Sequence, residues 1–151
     1  MFYYIIMSNK VIYYYQTLNG LEQLLKNGYA TTINLAAIHF GKDSENNPYI
    51  HLNDNNPYDH VFDNLWKQLT QANQQNIQII LMVGGAGSAY QTLFSDFETY
   101  YDLLYKLIKS KPIITGIDLD VEEIVKESNI KMLIKRIRKD FGQDFTISMA
   151  P

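Results

Sequence analysis

The chain has 151 residues, 46% of them hydrophobic, and a formal net charge of -3, which is enough for one domain with a sizeable core. Its basic residues gather only at Lys131, Lys135, Arg136, Arg138 and Lys139, a solvated helix face, so the electrostatics of phosphate binding are missing and no nucleic-acid partner is expected. The lack of cysteine excludes disulfides and thiolate metal sites, and no stretch approaches the ~20 apolar residues of a membrane span, so no membrane partner is expected either.

The apolar run from Phe2 to Met7 is too short for a signal-peptide core, and the regular pattern begins only at Lys10. Residues 1–9 therefore read as an N-terminal tail, with Met7 as an alternative start, and 10–151 as one domain. A cysteine-free chain suits either redox environment, so its localisation stays open. Val11 to Tyr15 is a β-branched and aromatic run that predicts a strand, and Leu18, Leu21, Leu24 and Leu25 follow at helical spacing up to Asn27-Gly28. Thr31 to Phe40 predicts a second, buried strand, and the polar stretch 43–59 a long loop or hairpin with Asn-Pro turns. Phe62, Leu65, Trp66 and Leu69 predict a helix with Trp66 in its core face.

Ile77 to Val83 is the third strand, closed by Gly84-Gly85. One helix then carries Phe94, Phe97, Tyr101, Leu104 and Ile108 until Pro112, Ile113 to Val121 is the fourth strand, Ile130 to Phe141 the next helix, and Phe145 to Met149 the fifth strand. Buried strands alternating with amphipathic helices predict an α/β fold of parallel βαβ units, either a barrel or an open doubly wound sheet. His39, His51 and His60 lack metal-ligand spacing and are expected in loops or at strand ends.

The chemistry gathers on the fourth strand. Asp118, Asp120 and Glu122 alternate with apolar Leu119 and Val121, and the strand period of two puts all three acids on one face, roughly 6.6 Å apart along the strand. Like charges at that spacing raise at least one pKa, which would keep one carboxyl protonated near neutral pH, as a general acid requires. A solvated row of acids would be hard to accommodate in a sheet covered by helices, and a Mg²⁺ site, though built from the same oxygen ligands, lacks the remaining donors. No metal or cofactor is expected.

TGIDLDVE resembles the DxxDxDxE signature of glycoside hydrolase family 18, the chitinase-like catalytic domain, and it falls on the fourth strand, where that family carries it. Ile12 to Gly20, Leu81 to Tyr90 and Thr146 to Pro151 are similar, in order, to the family's strand-one, strand-three SxGG and strand-five segments. The resemblance implies a partial (β/α)8 barrel comprising about strands 1 to 5. It also implies substrate-assisted, retaining hydrolysis of β-linked N-acetylglucosamine oligosaccharides. Glu122 would be the proton donor, Asp120 would orient the substrate's acetamido group, and Asp118 would balance the shared proton. Tyr14, Gly84, Gly85 and Met149 would line the substrate.

Thr115 stands in place of the signature's first aspartate, Met82 in place of the SxGG serine, and Ala36-Ala37 lacks the strand-two aromatic. The family's strand-six tyrosine and strand-eight tryptophan lie beyond these residues. Hydrolysis is therefore expected to be impaired, and open barrel edges are expected to recruit a second chain or drive self-association. A non-catalytic, lectin-like or remnant barrel is the alternative. DLDVE also resembles the haloacid-dehalogenase nucleophile motif, but that motif opens its fold and here lies late in the chain; GGAGSAY lacks the third glycine of a dinucleotide loop.

Overall fold

The computed structural model describes residues 12–16 and 20–150; the 1–9 tail, Met7 and Pro151 lie outside the described residues. Its elements are β1 (Ile12–Tyr15), α1 (Leu21–Asn27), β2 (Thr32–Lys42), β3 (Pro48–Leu52), a 3-10 turn (His60–Phe62), α2 (Asp63–Gln74), β4 (Gln78–Gly84), α3 (Ala89–Ser95), α4 (Phe97–Ser110), β5 (Ile114–Asp120), α5 (Glu127–Phe141) and β6 (Thr146–Ala150).

The strands run β1-β2-β4-β5-β6 across the sheet, every neighbouring pair parallel and in chain order. A doubly wound sheet would reverse its order at a switch point; an unbroken progression is the arrangement of a (β/α)8 barrel wall. β2 and β4 are buried almost end to end, as expected of parallel strands covered on both faces.

Strand alternation splits that burial in two. Ile33, Leu35, Ile79, Leu81, Val83, Ile117 and Leu119 face the helices and join Leu69, Leu93, Leu104, Leu133 and Ile137 in the main core. On the other face Met82 packs with Ala36 and Ala37 in a small separate cluster. The buried polar residues among those described, Thr32, Asn34 and Asp118, all stand on this second, inner face by register: Thr32 opposite Gln78, Asn34 opposite Ile80, and Asp118 opposite Met82.

Three features depart from the expected elements: the places of His39 and His51, the helix between β4 and β5, and the end of β5. The polar stretch forms a hairpin: β3 runs antiparallel to the far half of β2, and Asp43 closes the turn by accepting from the amides of Glu45 (2.9 Å) and Asn47 (2.8 Å). His39 and His51 therefore sit on strands, directly paired across the hairpin. The single helix expected between β4 and β5 is two, because Asp96 leaves helical geometry (φ -149°, ψ 77°) and caps α4 through the Thr99 amide. β5 ends at Asp120, so Glu122 lies in the segment joining β5 to α5 instead of on the strand. Trp66 is buried in α2, its indole N–H donating to the Pro57 carbonyl at 3.0 Å.

Candidate active site

The inner face of β5 is built for polar groups by its register. Gly116, Asp118 and Asp120 alternate with the core residues Ile117 and Leu119, so the pattern that buries one face aims the carboxylates from the other. Asp118 is 1% exposed, flanked in register by Met82 on β4 and Ser148 on β6. The Ser148 hydroxyl donates to Asp118 Oδ1 at 2.5 Å, while Oδ2, also buried, has no hydrogen-bond partner among the described residues. The hydroxyl lost at Met82 on one side is thus matched by one from Ser148 on the other. Thr115 sits at a register shift away from this row, its hydroxyl donating to the Ile79 carbonyl at 3.4 Å.

Asp120 is half-buried at the strand's C-terminal end. Its carbonyl accepts from the Gly85 amide at 2.9 Å. A Cβ on Gly84 would stand 2.1 Å from that carbonyl oxygen, and one on Gly85 would stand 3.6 Å from Asp120 Oδ2. Both glycines have positive φ, +105° and +89°, so backbone conformation favours glycine at each, and at Gly84 the close approach requires it as well. Glu122 follows two residues later and is exposed.

Tyr90 closes the site from behind. It is 1% exposed, and its hydroxyl donates to the Val83 carbonyl at 2.8 Å. Burial first, then the negative charges of Asp120, Asp118 and Glu123, hold its phenol well above the ordinary range, so it remains a neutral donor. The Glu123 carboxylate accepts from the backbone amides of Tyr90 (2.6 Å) and Gln91 (3.0 Å).

Of the expected substrate residues, Met149 is placed differently. Met149 pairs in register with Leu119, not Asp118, which puts it on the helix side of the sheet, away from the acids; it is 54% exposed. Ser148 and Ala150 hold the acid-facing register positions instead, opposite Asp118 and Asp120. Tyr14 pairs with Asn34, in line with the inner face, and its side chain lies outside the described residues.

A cavity of about 620 Å³ opens at Ala86, the residue after Gly85, lined also by Gln16, His39, His51, Asn53 and Asp54 among others. The imidazoles of His39 and His51 stack at 5.5 Å; His39 Nε2 lies 3.2 Å from the Ala86 carbonyl, and His51 Nδ1 is hydrogen-bonded to the Asn53 carbonyl. The Asn53 side chain bridges the Ala37 amide (3.1 Å) and the Gln16 carbonyl (2.9 Å). Sequence reasoning missed this wall because the histidines are brought together only by hairpin register. Among the described residues no group of three or more His, Cys, Asp or Glu side chains could hold a metal ion.

No protein-family model and no curated protein matches the chain significantly. Solved structures do. A chitinase from Aspergillus fumigatus superposes with a TM-score of 0.85 at 33% identity, over 94% of this chain and 54% of that one. A fungal endo-β-N-acetylglucosaminidase of glycosyl hydrolase family 18 superposes with a TM-score of 0.83 at 32% identity, again over 94% and 54%. A family 18 chitinase from Pseudoalteromonas aurantia, at 23% identity and a TM-score of 0.70, shares the fold. The chain spans about half the length of these structures. In fold and in sequence it corresponds to a partial barrel of the glycoside hydrolase family 18 catalytic domain.

Proposed function

We propose that these residues carry the acid side of a glycoside hydrolase site acting on β-linked N-acetylglucosamine glycans by substrate-assisted, retaining hydrolysis. The observation that supports this best is the row Asp118 and Asp120 on one face of β5, pressed against Gly84-Gly85, with Glu122 just beyond the strand end. Glu122 gives its proton to the glycosidic oxygen as the C1–O bond breaks. The substrate's own acetamido carbonyl oxygen bonds to C1, giving an oxazolinium ion; water then attacks C1 and reopens the ring as Glu122 takes a proton from that water. Asp120 orients the acetamido N–H and offsets its developing positive charge; Asp118, held by Ser148 through one oxygen, keeps the other free to share a proton with Asp120. The His39–His51 cavity, reached at Ala86, offers room for neighbouring sugar units.

A chitinase and an endo-β-N-acetylglucosaminidase both lie among the similar structures, so the shared substrate class is the N-acetylglucosamine glycan. Within the described sheet β1 and β6 each pair on one side only, and the 151-residue polypeptide by itself is expected to associate through those edges and to turn over slowly.

The test compares wild-type chain and Glu122→Gln for turnover and binding of a chromogenic N-acetylglucosamine oligomer. Turnover is expected to fall at least about 100-fold with binding retained. Equal turnover would remove Glu122 from the mechanism. Binding without turnover in the wild type would favour the non-catalytic amino-sugar-binding alternative.

A further inference from the structure

The acid residue sits in a segment with no regular secondary structure. Residues 121–126 connect β5 to α5; Val121 and Val125 pack partly against the core, whereas Ile124 is 97% exposed. Such a connection would leave the Glu122 backbone loosely held unless a polar contact fixed it. Glu123, its immediate neighbour, makes that contact. Its two carboxylate oxygens accept from consecutive amides, Tyr90 at 2.6 Å and Gln91 at 3.0 Å, in the first turn of α3.

That helix needs an outside acceptor, since Ser88 at its start makes no side-chain cap and its first amides have no partners within the helix. The anchor is itself rigid. The Tyr90 hydroxyl is bonded to Val83, and its ring lies against Gly84, where an added Cβ would come within 2.7 Å of it. Gly84 and Gly85 in turn close on Asp120. The contacts form a loop: Asp120 to Gly84-Gly85, to Tyr90, to Glu123, and back along the chain through Glu122 to Asp120.

We propose that Glu123 is a positioning residue that fixes the backbone of Glu122 relative to Asp120 by latching the β5–α5 segment to α3. The inference rests on the reading of Glu122 as proton donor. With both its carboxylate oxygens engaged by backbone amides, Glu123 acts by denying its neighbour alternative orientations, and misplacement of a proton donor by about 1 Å is enough to cost on the order of 100-fold in rate.

The experiment is a matched set on the full chain: wild type, Glu123→Gln, which retains one acceptor oxygen, and Glu123→Ala, which retains none. Steady-state kinetics on the N-acetylglucosamine oligomer are read beside NMR order parameters for residues 121–124 and hydrogen exchange at the Tyr90 and Gln91 amides. The expected result is lost protection at both amides and a lowered order parameter at Glu122 in Glu123→Ala, with kcat down about 10- to 100-fold, KM changed less than about threefold, and Glu123→Gln intermediate. A helix cap with no positioning role would lower the melting temperature and expose the two amides while leaving the Glu122 order parameter and kcat untouched, and that result overturns the proposal. Should Glu123→Ala fail to fold, Glu123→Gln decides by the same criteria. Should the wild type bind the oligomer without turnover, the proton-donor reading fails, and the Glu122 order parameter alone judges the latch.

Discussion

The two faces of the same strands do opposite work. On β5, Ile117 and Leu119 are fully buried against helices, while Asp118 and Asp120, one residue away each, hold the polar row. On β4, Leu81 and Val83 belong to the main core, while Met82 and Gly84 frame the acids. A period of two lets one seven-residue strand build the fold with one set of residues and the site with the other, so changes on the outer face should be read in stability and changes on the inner face in activity.

Gly84 is where this separation should fail, because it serves both. Gly84→Ala forces a Cβ to 2.1 Å from the Asp120 carbonyl oxygen at a φ of +105°, and it is expected to lower stability by more than about 3 kcal/mol and abolish turnover together. A denaturant midpoint and a rate on the same sample check both. Leu119→Ala sharpens the contrast: a fully buried outer-face residue should cost about 2–5 kcal/mol while the rate of the remaining folded protein stays near wild type. Ser148→Ala should do the reverse. It removes the hydroxyl bonded to Asp118 Oδ1, costs only about 1–2 kcal/mol, and lowers kcat; an unchanged kcat would show that the bond does not bear on catalysis.

Two buried phenols, Tyr90 behind the site and Tyr101 beside Asp140, contribute to the alkaline pH dependence of stability. Tyr90 and Tyr101 are both raised above the ordinary tyrosine value, chiefly by burial. A raised acid favours its protonated form in the fold, so this contribution is complete below about pH 10, the unfolded value, and is lost as pH climbs beyond it. Alkaline unfolding followed by phenolate absorbance should therefore be cooperative, with Tyr90→Phe reducing its steepness. The smallest effect is expected at the surface, where Arg136 joins Glu98 (3.0 Å) and Asp140 (2.9 Å): Arg136→Ala should cost about 1 kcal/mol or less and leave the rate unchanged.

What the sequence discloses is what local periodicity encodes. The alternation of Ile79 to Val83 with the amphipathic helices fixes the βα order, and the even spacing of Asp118 and Asp120 fixes their common face. Motif order points to the barrel, whereas periodicity alone is equally consistent with a doubly wound sheet. The details that escaped depend on partners distant in the chain. The Ser148–Asp118 bond spans 30 residues and the Glu123–Tyr90 bond 33. The stop of β5 at Asp120 is fixed not by its own residues but by the end of its ladder, where Gly84 and Ala150 are the last partners. Met149 faces the helices for the same reason: a motif match names a segment, and only the Asp118–Ser148 register says which of its residues face the acids.

The central proposal is that Glu122 supplies the proton and the inner-face acids fixed charge, with no nucleophile from the protein. Hydrolysis of three oligomers of equal length, fully N-acetylated, deacetylated and plain β-linked glucose, followed side by side with mass spectrometry of the protein, tests it most directly. The account predicts cleavage of the acetylated oligomer alone and no sugar attached to the protein. Equal cleavage of the glucose oligomer, or a sugar ester on Asp118 or Asp120, would contradict it.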